Sequence, residues 1–258
     1  MLPIRDRNPT RRVPVVTVAL ILLNIGVYFF VQPQGGGDPD TTTFSYEYAA
    51  IPEEISDGEP LTCGEFAAGF DAAPSQVCDA PDAPIFPDKR VWLAVIFSLF
   101  FHGSLLHLGG NMLFLWIFGN NIEDHLGPVR YLAFYLVSGV VATLAHVALQ
   151  PDSITPLIGA SGAVAGVMGA YLVWFPNVRI LTAFFFIIIR EISAKWWLGI
   201  WFVSQFFINR EAGVAWDAHV GGFLFGVLVG LVVHWFKPVR AVTWRGEFNR
   251  PRQDPYPY

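Results

Sequence analysis

Four side chains carry most of the chemistry this sequence can do. Ser161 lies in an uncharged, small-residue stretch, Pro156 to Phe175, between Gly159 and Gly162. His219 sits near the start of A-H-V-G-G-F-L-F-G-V-L-V-G, and His107 and Asn111 stand four apart in H-G-S-L-L-H-L-G-G-N-M. A hydroxyl beside an imidazole is a nucleophile beside its base. An imidazole and an amide at the same level can donate to the oxyanion that develops in acyl transfer, alongside the Ser161 backbone N–H.

That chemistry requires elements that bring distant segments together. Gly222, Gly226 and Gly230 recur every fourth residue, so they share a helical face with His219, which is three residues before Gly222. Gly162 and Gly166 form a matching stripe behind Ser161. Small residues let helix backbones approach closely. If the two stripes pack, Ser161 and His219 come within hydrogen-bond reach. Glycine-mediated packing with an incidental serine and histidine is the alternative; it accounts for the glycines well and for the matched depth of the two polar groups poorly. His107 and Asn111, at i and i+4, sit one above the other on a third helix, where a polar inter-helix pair is the plainer reading.

Composition places these elements in a bilayer. Hydrophobic residues make up 53% of the chain and charged ones 14%, with nine Trp and 23 Phe, and mean hydropathy is +0.46. This is the profile of an integral membrane protein with interfacial aromatic anchors. No basic patch interleaved with aromatics suggests nucleic acid. Residues 1–12 form a basic tail (Arg5, Arg7, Arg11, Arg12) before an apolar run from Val13 to Val31. That run exceeds a signal-peptide core and lacks a cleavage site after it, so it reads as a retained first span.

Residues 32–90 hold twelve of the 21 acidic residues and read as a long, partly irregular loop. Both cysteines, Cys63 and Cys78, lie there. They can pair if the loop faces an oxidising compartment; two free thiols are the alternative. Five more spans are expected near 103–119, 129–149, 159–175, 195–208 and 219–236, the domain thus covering 13–236. Pro176 to Lys195, apolar but broken by Arg179, Arg190 and Glu191, suits an interfacial hairpin. Thirteen of the 16 Lys/Arg fall on the side that holds both termini. By the positive-inside rule the tails 1–12 and 237–258 are cytoplasmic, the 32–90 loop is extracytoplasmic, and the protein is multi-pass in a cell membrane. His125, His146 and His234 read as interfacial histidines without a special role.

H-x-x-x-N, G-A-S-G and A-H-x-G-G-x-x-x-G, in order and each on its own span, resemble the rhomboid intramembrane serine proteases of the bacterial and archaeal type. N-N-I-E-D-H-L-G after the second span is also similar. The likeness runs from about His102 to Phe236. It implies an all-α, six-transmembrane-helix bundle with a long first loop, acting as a serine endopeptidase on transmembrane protein substrates in the lipid bilayer. It implies Ser161 as nucleophile and His219 as base and acid, a dyad without a carboxylate. Asn111, His107 and the Ser161 N–H would form the oxyanion hole, and Gly159 would shape the turn before the nucleophile. His102 would brace the loop above, and Gly162, Gly222 and Gly226 would support the packing. No cofactor or metal is implied, and oligomeric state is left open. Asp217 does not complete a triad, since i and i+2 do not share a helix face. Two departures stand out. Ala165 occupies a position where some members stack an aromatic on the base, so something else must orient His219. Trp92 is followed by Leu93 where some have Arg. An inactive client-binding relative and a small-solute or proton transporter are the rival readings. The chain lacks the H-E-x-x-H of zinc membrane proteases and the paired membrane aspartates of aspartyl ones.

Overall fold

The computed structural model describes residues 1–33, 39–69, 79–184, 188–208 and 214–236. In chain order the elements are β1 (Leu2–Asp6), α1 (Val15–Phe30), α2 (Pro39–Tyr48), α3 (Pro52–Asp57), α4 (Cys63–Gly69), α5 (Val91–Ser98) and α6 (Leu105–Phe114). A π-helical turn, Leu115–Gly119, joins α6 to α7 (Asn120–Leu126). Then follow α8 (Pro128–Leu149), α9 (Ser161–Trp174), β2 (Arg179–Phe184), β3 (Ile188–Ser193), α10 (Ala194–Gln205) and α11 (Trp216–Phe236). The C-terminal tail 237–258 lies outside the described residues.

The chain is mostly helical. α8 and α11, at 22 and 21 residues, are long and apolar enough to cross a membrane, and α1 and α9 are shorter apolar helices. The helix ends follow from local chemistry. Gly127, at φ +83° and ψ 159°, takes a positive-φ conformation that favours glycine and ends α7, and Pro128 starts α8 with a preset φ. Pro14 offers α1 no side-chain cap. Instead Glu123 of α7 accepts from the Val16 and Thr17 amides at 2.9 and 2.8 Å. That meets orphan donors at a helix start with the charge its dipole favours.

The centre of the bundle is α9, buried at every position from Gly162 to Tyr171. Its glycine stripe meets that of α11. A Cβ on Gly222 would strike the Gly162 carbonyl oxygen, and one on Gly226 the Gly166 carbonyl oxygen. On its other side α9 meets α8, where a Cβ on Gly162 would lie 2.5 Å from Ala142 Cβ and one on Gly166 2.5 Å from Ser138 Cβ. The α9 stripe thus meets α11 through its carbonyls while its Cβ positions turn toward α8.

The all-α expectation is corrected by a three-stranded antiparallel sheet, β1–β2–β3. The hairpin expected within Pro176–Lys195 is β2–β3, paired from Arg179↔Ser193 to Phe184↔Ile188. Its free edge is covered by β1, pairing Leu2↔Ala183 through Asp6↔Ile180. Residues 2–6 are thus a strand and not a free tail. Asp6 then reaches into the bundle, where its carboxylate accepts from Tyr171 Oη of α9 at 2.5 Å and Asn121 Nδ2 of α7 at 2.8 Å. Arg7 pairs with Glu191 of β3.

The 32–90 loop is likewise corrected from irregular to folded over its described part. α2, α3 and α4 enclose a small core of Tyr46, Ile51 and Leu61 backed by Phe66, Ile85 and Phe86. Lys89 and Glu54, almost fully buried, form an ion pair at 2.6 Å, and Lys89 Nζ also donates to the Tyr46 carbonyl at 2.6 Å. Burial raises the Glu54 pKa and lowers that of Lys89, and each partner opposes the other's shift. Cys63 begins α4; Cys78 lies outside the described residues, so the expected pair is not described.

Two outcomes follow. Gly226→Ala should destabilise the protein by about 1–3 kcal/mol through overpacking against the Gly166 backbone, read as a lower unfolding temperature in detergent. Gly199→Ala, which meets nothing within 4 Å, should leave it unchanged or slightly raised. Burial pushes the Asp6 carboxyl up to about 6, only partly offset by its hydrogen bonds to Tyr171 and Asn121. A carboxyl raised on folding favours the fold when protonated, so that contribution is full below about pH 4 and lost as pH rises through about 6. Amide exchange over residues 2–6 should accordingly be better protected at low pH after correction for intrinsic rates, and Asp6→Asn should remove the difference.

Candidate active site

The site is built where α9 and α11 begin. His219 Nε2 and Ser161 Oγ are 2.8 Å apart. Ser161 is the first residue of α9, and its position depends on the turn before it. Gly159 has φ +127°, which L side chains rarely adopt. A Cβ there would also lie 2.8 Å from both Cε1 and Nε2 of His107. The glycine therefore lets the backbone pass directly under the His107 ring. The Gly159 amide donates to the Ser98 carbonyl at 2.9 Å, and the Leu157 amide to the Ala50 carbonyl at 2.7 Å. The Ala50 amide in turn bonds Ser98 Oγ at 2.6 Å. The segment leading into Ser161 is thus stitched to α5 and to the folded insert.

α6 supplies the remaining polar groups. Its N-cap Ser104 accepts from the His107 amide at 3.1 Å, fixing the first turn. His107 and Asn111 share a face, as the spacing predicts. Asn111 is 6% exposed, and its Nδ2 has no hydrogen-bond partner among the described residues. A buried, unpaired amide donor is costly unless something it is built to bind arrives. His102 is buried, with its ring 5.1 Å from that of His107. Gln32, just past α1, grips the His102 backbone at both ends, donating to its carbonyl at 3.2 Å and accepting from its amide at 2.9 Å.

Two residues overlooked in the sequence belong here. Gln205, the last residue of α10, holds His219 Nδ1 through its Oε1 at 2.8 Å. Trp201, one turn earlier, lies beside the His219 ring, centroids 6.1 Å apart and tilted by 35°. The vacancy at Ala165 was the signal that such a partner must exist, yet nothing in the periodicity of α10 singles one out. His146, read as an interfacial histidine, is instead buried on α8, with its Nδ1 2.5 Å from Asp217 Oδ1. Gln150 donates to Asp217 Oδ2, also at 2.5 Å. Asp217 enters the helix because α11 starts at Trp216, earlier than the expected 219. Its two carboxylate oxygens are taken by these α8-side partners. Among the described residues no cluster of His, Cys, Asp or Glu could hold a metal.

A model of the rhomboid domain matches residues 89–236, more than half of the chain. The chain belongs to the rhomboid family. It is 31% identical over 152 residues to Rhomboid protein 1, mitochondrial, of Saccharomyces cerevisiae, covering 54% of this chain and 41% of that protein. It is 30% identical over 142 residues to the Presenilin-associated rhomboid-like protein, mitochondrial, of Homo sapiens (52% and 36%). It is 28% identical over 162 residues to Rhomboid-like protease 3 of Toxoplasma gondii (61% and 56%). The chain thus matches about half or less of the length of these relatives. Their names correct one expectation. The first two are mitochondrial, which overturns the assignment to a cell membrane, and all three are eukaryotic, so the bacterial or archaeal type gains no support.

The buried His146–Asp217 pair generates a prediction. Removing one partner of a buried pair leaves an uncompensated charge, at a cost of about 3–5 kcal/mol. His146→Leu should therefore destabilise the rhomboid domain strongly. The double variant His146→Leu/Asp217→Asn should recover much of that loss, as measured in a thermal double-mutant cycle.

Proposed function

We propose that this rhomboid-family chain is an intramembrane serine endopeptidase that cleaves transmembrane protein substrates, working in a mitochondrial membrane as its relatives' names suggest. The observation that carries the reading is the 2.8 Å contact between His219 Nε2 and Ser161 Oγ. In this reading α1, α6 with its π turn, α8, α9, α10 and α11 are the six spans, over 13–236. α9 has only 14 residues, about 21 Å at 1.5 Å per residue, against a hydrocarbon core of roughly 30 Å. Its Ser161 end would then lie below the membrane surface, on the face that carries the 39–69 insert.

Ser161 donates its proton to His219 Nε2 as its oxygen attacks the scissile carbonyl carbon. The carbonyl π bond breaks and an oxyanion forms, to which Asn111 Nδ2, the His107 ring and the Ser161 amide donate. As the tetrahedral species collapses, the C–N bond breaks and the imidazolium gives its proton to the departing amine. A water molecule, deprotonated by the same imidazole, then attacks the acyl ester, and Ser161 recovers its proton. The amide of Asn111 supports the oxyanion role, since its Nδ2 is a buried donor with no partner among the described residues. His102 acts through the loop and not on the substrate. Peptide bonds in an intact helix are shielded by their own hydrogen bonds, so the substrate must unwind locally before attack. The rival readings, an inactive client-binding protein and a transporter, leave the paired serine and histidine without a task.

Wild type and Ser161→Ala, each reconstituted in liposomes with a single-span substrate, give the test by product mass. Cleavage by wild type and none by the variant is the expected result; equal cleavage by both, or none by wild type together with no labelling by a fluorophosphonate, would overturn the reading. In the same assay Asn111→Ala should lower kcat by about 10²–10³-fold, the usual loss for one oxyanion donor.

A further inference from the structure

We infer that Gln205 is a positioning residue for the base, holding His219 in the one tautomer that can accept the Ser161 proton; this rests on the dyad reading above. Gln205 is 4% exposed, so its side chain has few orientations open to it. Its carboxamide nitrogen donates to the Trp201 carbonyl at 3.0 Å and to Ser204 Oγ at 3.3 Å. The oxygen is therefore the end that faces His219 Nδ1, at 2.8 Å. A carboxamide oxygen can only accept, so Nδ1 must carry the proton. Nε2 is left with a lone pair, and it is Nε2 that meets Ser161 Oγ. In the opposite tautomer an N–H would face the hydroxyl and no proton could leave it.

Among the described residues no other group does this work. Asp217 spends its carboxylate oxygens on His146 and Gln150, and Ala165 has nothing to stack. Trp201 lies beside the ring, tilted and at 6.1 Å, with no hydrogen bond to it. The partner supplied to the imidazole is thus neutral, a dipole where a triad places a charge. It sits on α10, a different helix from either member of the dyad, so the base is set only when α9, α10 and α11 are assembled together.

The test compares Gln205→Met, which keeps length and removes the acceptor, with Gln205→Glu, which keeps an acceptor. Wild type and Ser161→Ala are controls, all in liposomes. The readouts are kcat and KM on a single-span substrate and the rate at which a fluorophosphonate labels Ser161. Gln205→Met should lose about 10–100-fold in kcat with KM little changed, a loss of the size expected for an impaired general base. Labelling should slow in parallel, and Gln205→Glu should restore most of both rates. Wild-type kcat and labelling in Gln205→Met would overturn the role while leaving the dyad intact. A wild type that neither cuts nor labels would overturn the dyad reading, and this role with it. Nitrogen chemical shifts of the His219 ring in wild type give a measurement that needs no variant to fold. The Nδ1–H tautomer is expected, and a resting Nε2–H tautomer would overturn the inference.

Discussion

A close approach of backbone against backbone, between α9 and α11, sets everything around it. At Gly222 and Gly226 the position of a side chain is taken by carbonyl oxygens of the facing helix. Two helices that touch this closely cannot slide. A shift of one residue would move a helix by about 1.5 Å and turn its face by about 100°. Either change would carry a methyl or larger group into a carbonyl. The interface therefore fixes depth and rotation together, and the 2.8 Å separation of Ser161 and His219 is a consequence of it. Since van der Waals contact is the main force between helices in lipid, a glycine stripe that brings backbones together both strengthens the pair and sets its register.

What the stripe cannot set is the loop in front of Ser161, and a second system does that. Gly159 crosses beneath His107 in a conformation reserved for glycine, and its amide is tied to Ser98. Ser98 uses its hydroxyl to receive Ala50 of the insert, whose carbonyl receives Leu157. The acidic insert thus does more than shield a surface: it takes up backbone groups that would otherwise be unpaired around the site. On the opposite end of α9, Asp6 reaches Tyr171 from β1, so both ends of the central helix are held by segments far away in the chain.

How much of this was legible depended on the range of the signal. The glycine spacings are local patterns with a direct helical meaning, and they led to the pairing of α9 with α11, while the hairpin was legible from the charges Arg179, Arg190 and Glu191 that break the apolar run Pro176–Lys195. β1 was invisible because L-P-I-R-D is too short to carry a period, and its partner lies more than 170 residues on. The insert looked irregular because its helices are short and its core closes only against Ile85, Phe86 and Ile154. His146 and Asp217 are apart in sequence by 71 residues, and no periodicity links them. Gln205 is an amide at the end of a helix, a common and usually idle placement. Its role follows only from where α10 ends. The compartment was read from charge asymmetry, which distinguishes the two sides of a bilayer but not which bilayer it is.

The arrangement of charge around His219 carries a physical logic of its own. The one carboxylate on the His219 helix, Asp217, sits in the first turn of α11, where the helix dipole and the Ala218 amide at 2.9 Å favour it. From there it binds His146 of α8 and Gln150 just past its end, so its carboxylate fastens two helices and makes no hydrogen bond to the His219 ring. A carboxylate on Nδ1 would have to be buried against His219 in surroundings with few other donors, and unpaired it would be expensive there. An amide asks less, since its dipole needs only one donor and one or two acceptors, and Trp201, Ser204 and His219 supply them. The chain thus separates two tasks that a triad combines. Fixing the helix falls to a charge, and fixing the imidazole falls to a neutral group whose own orientation is set by the helix that carries it.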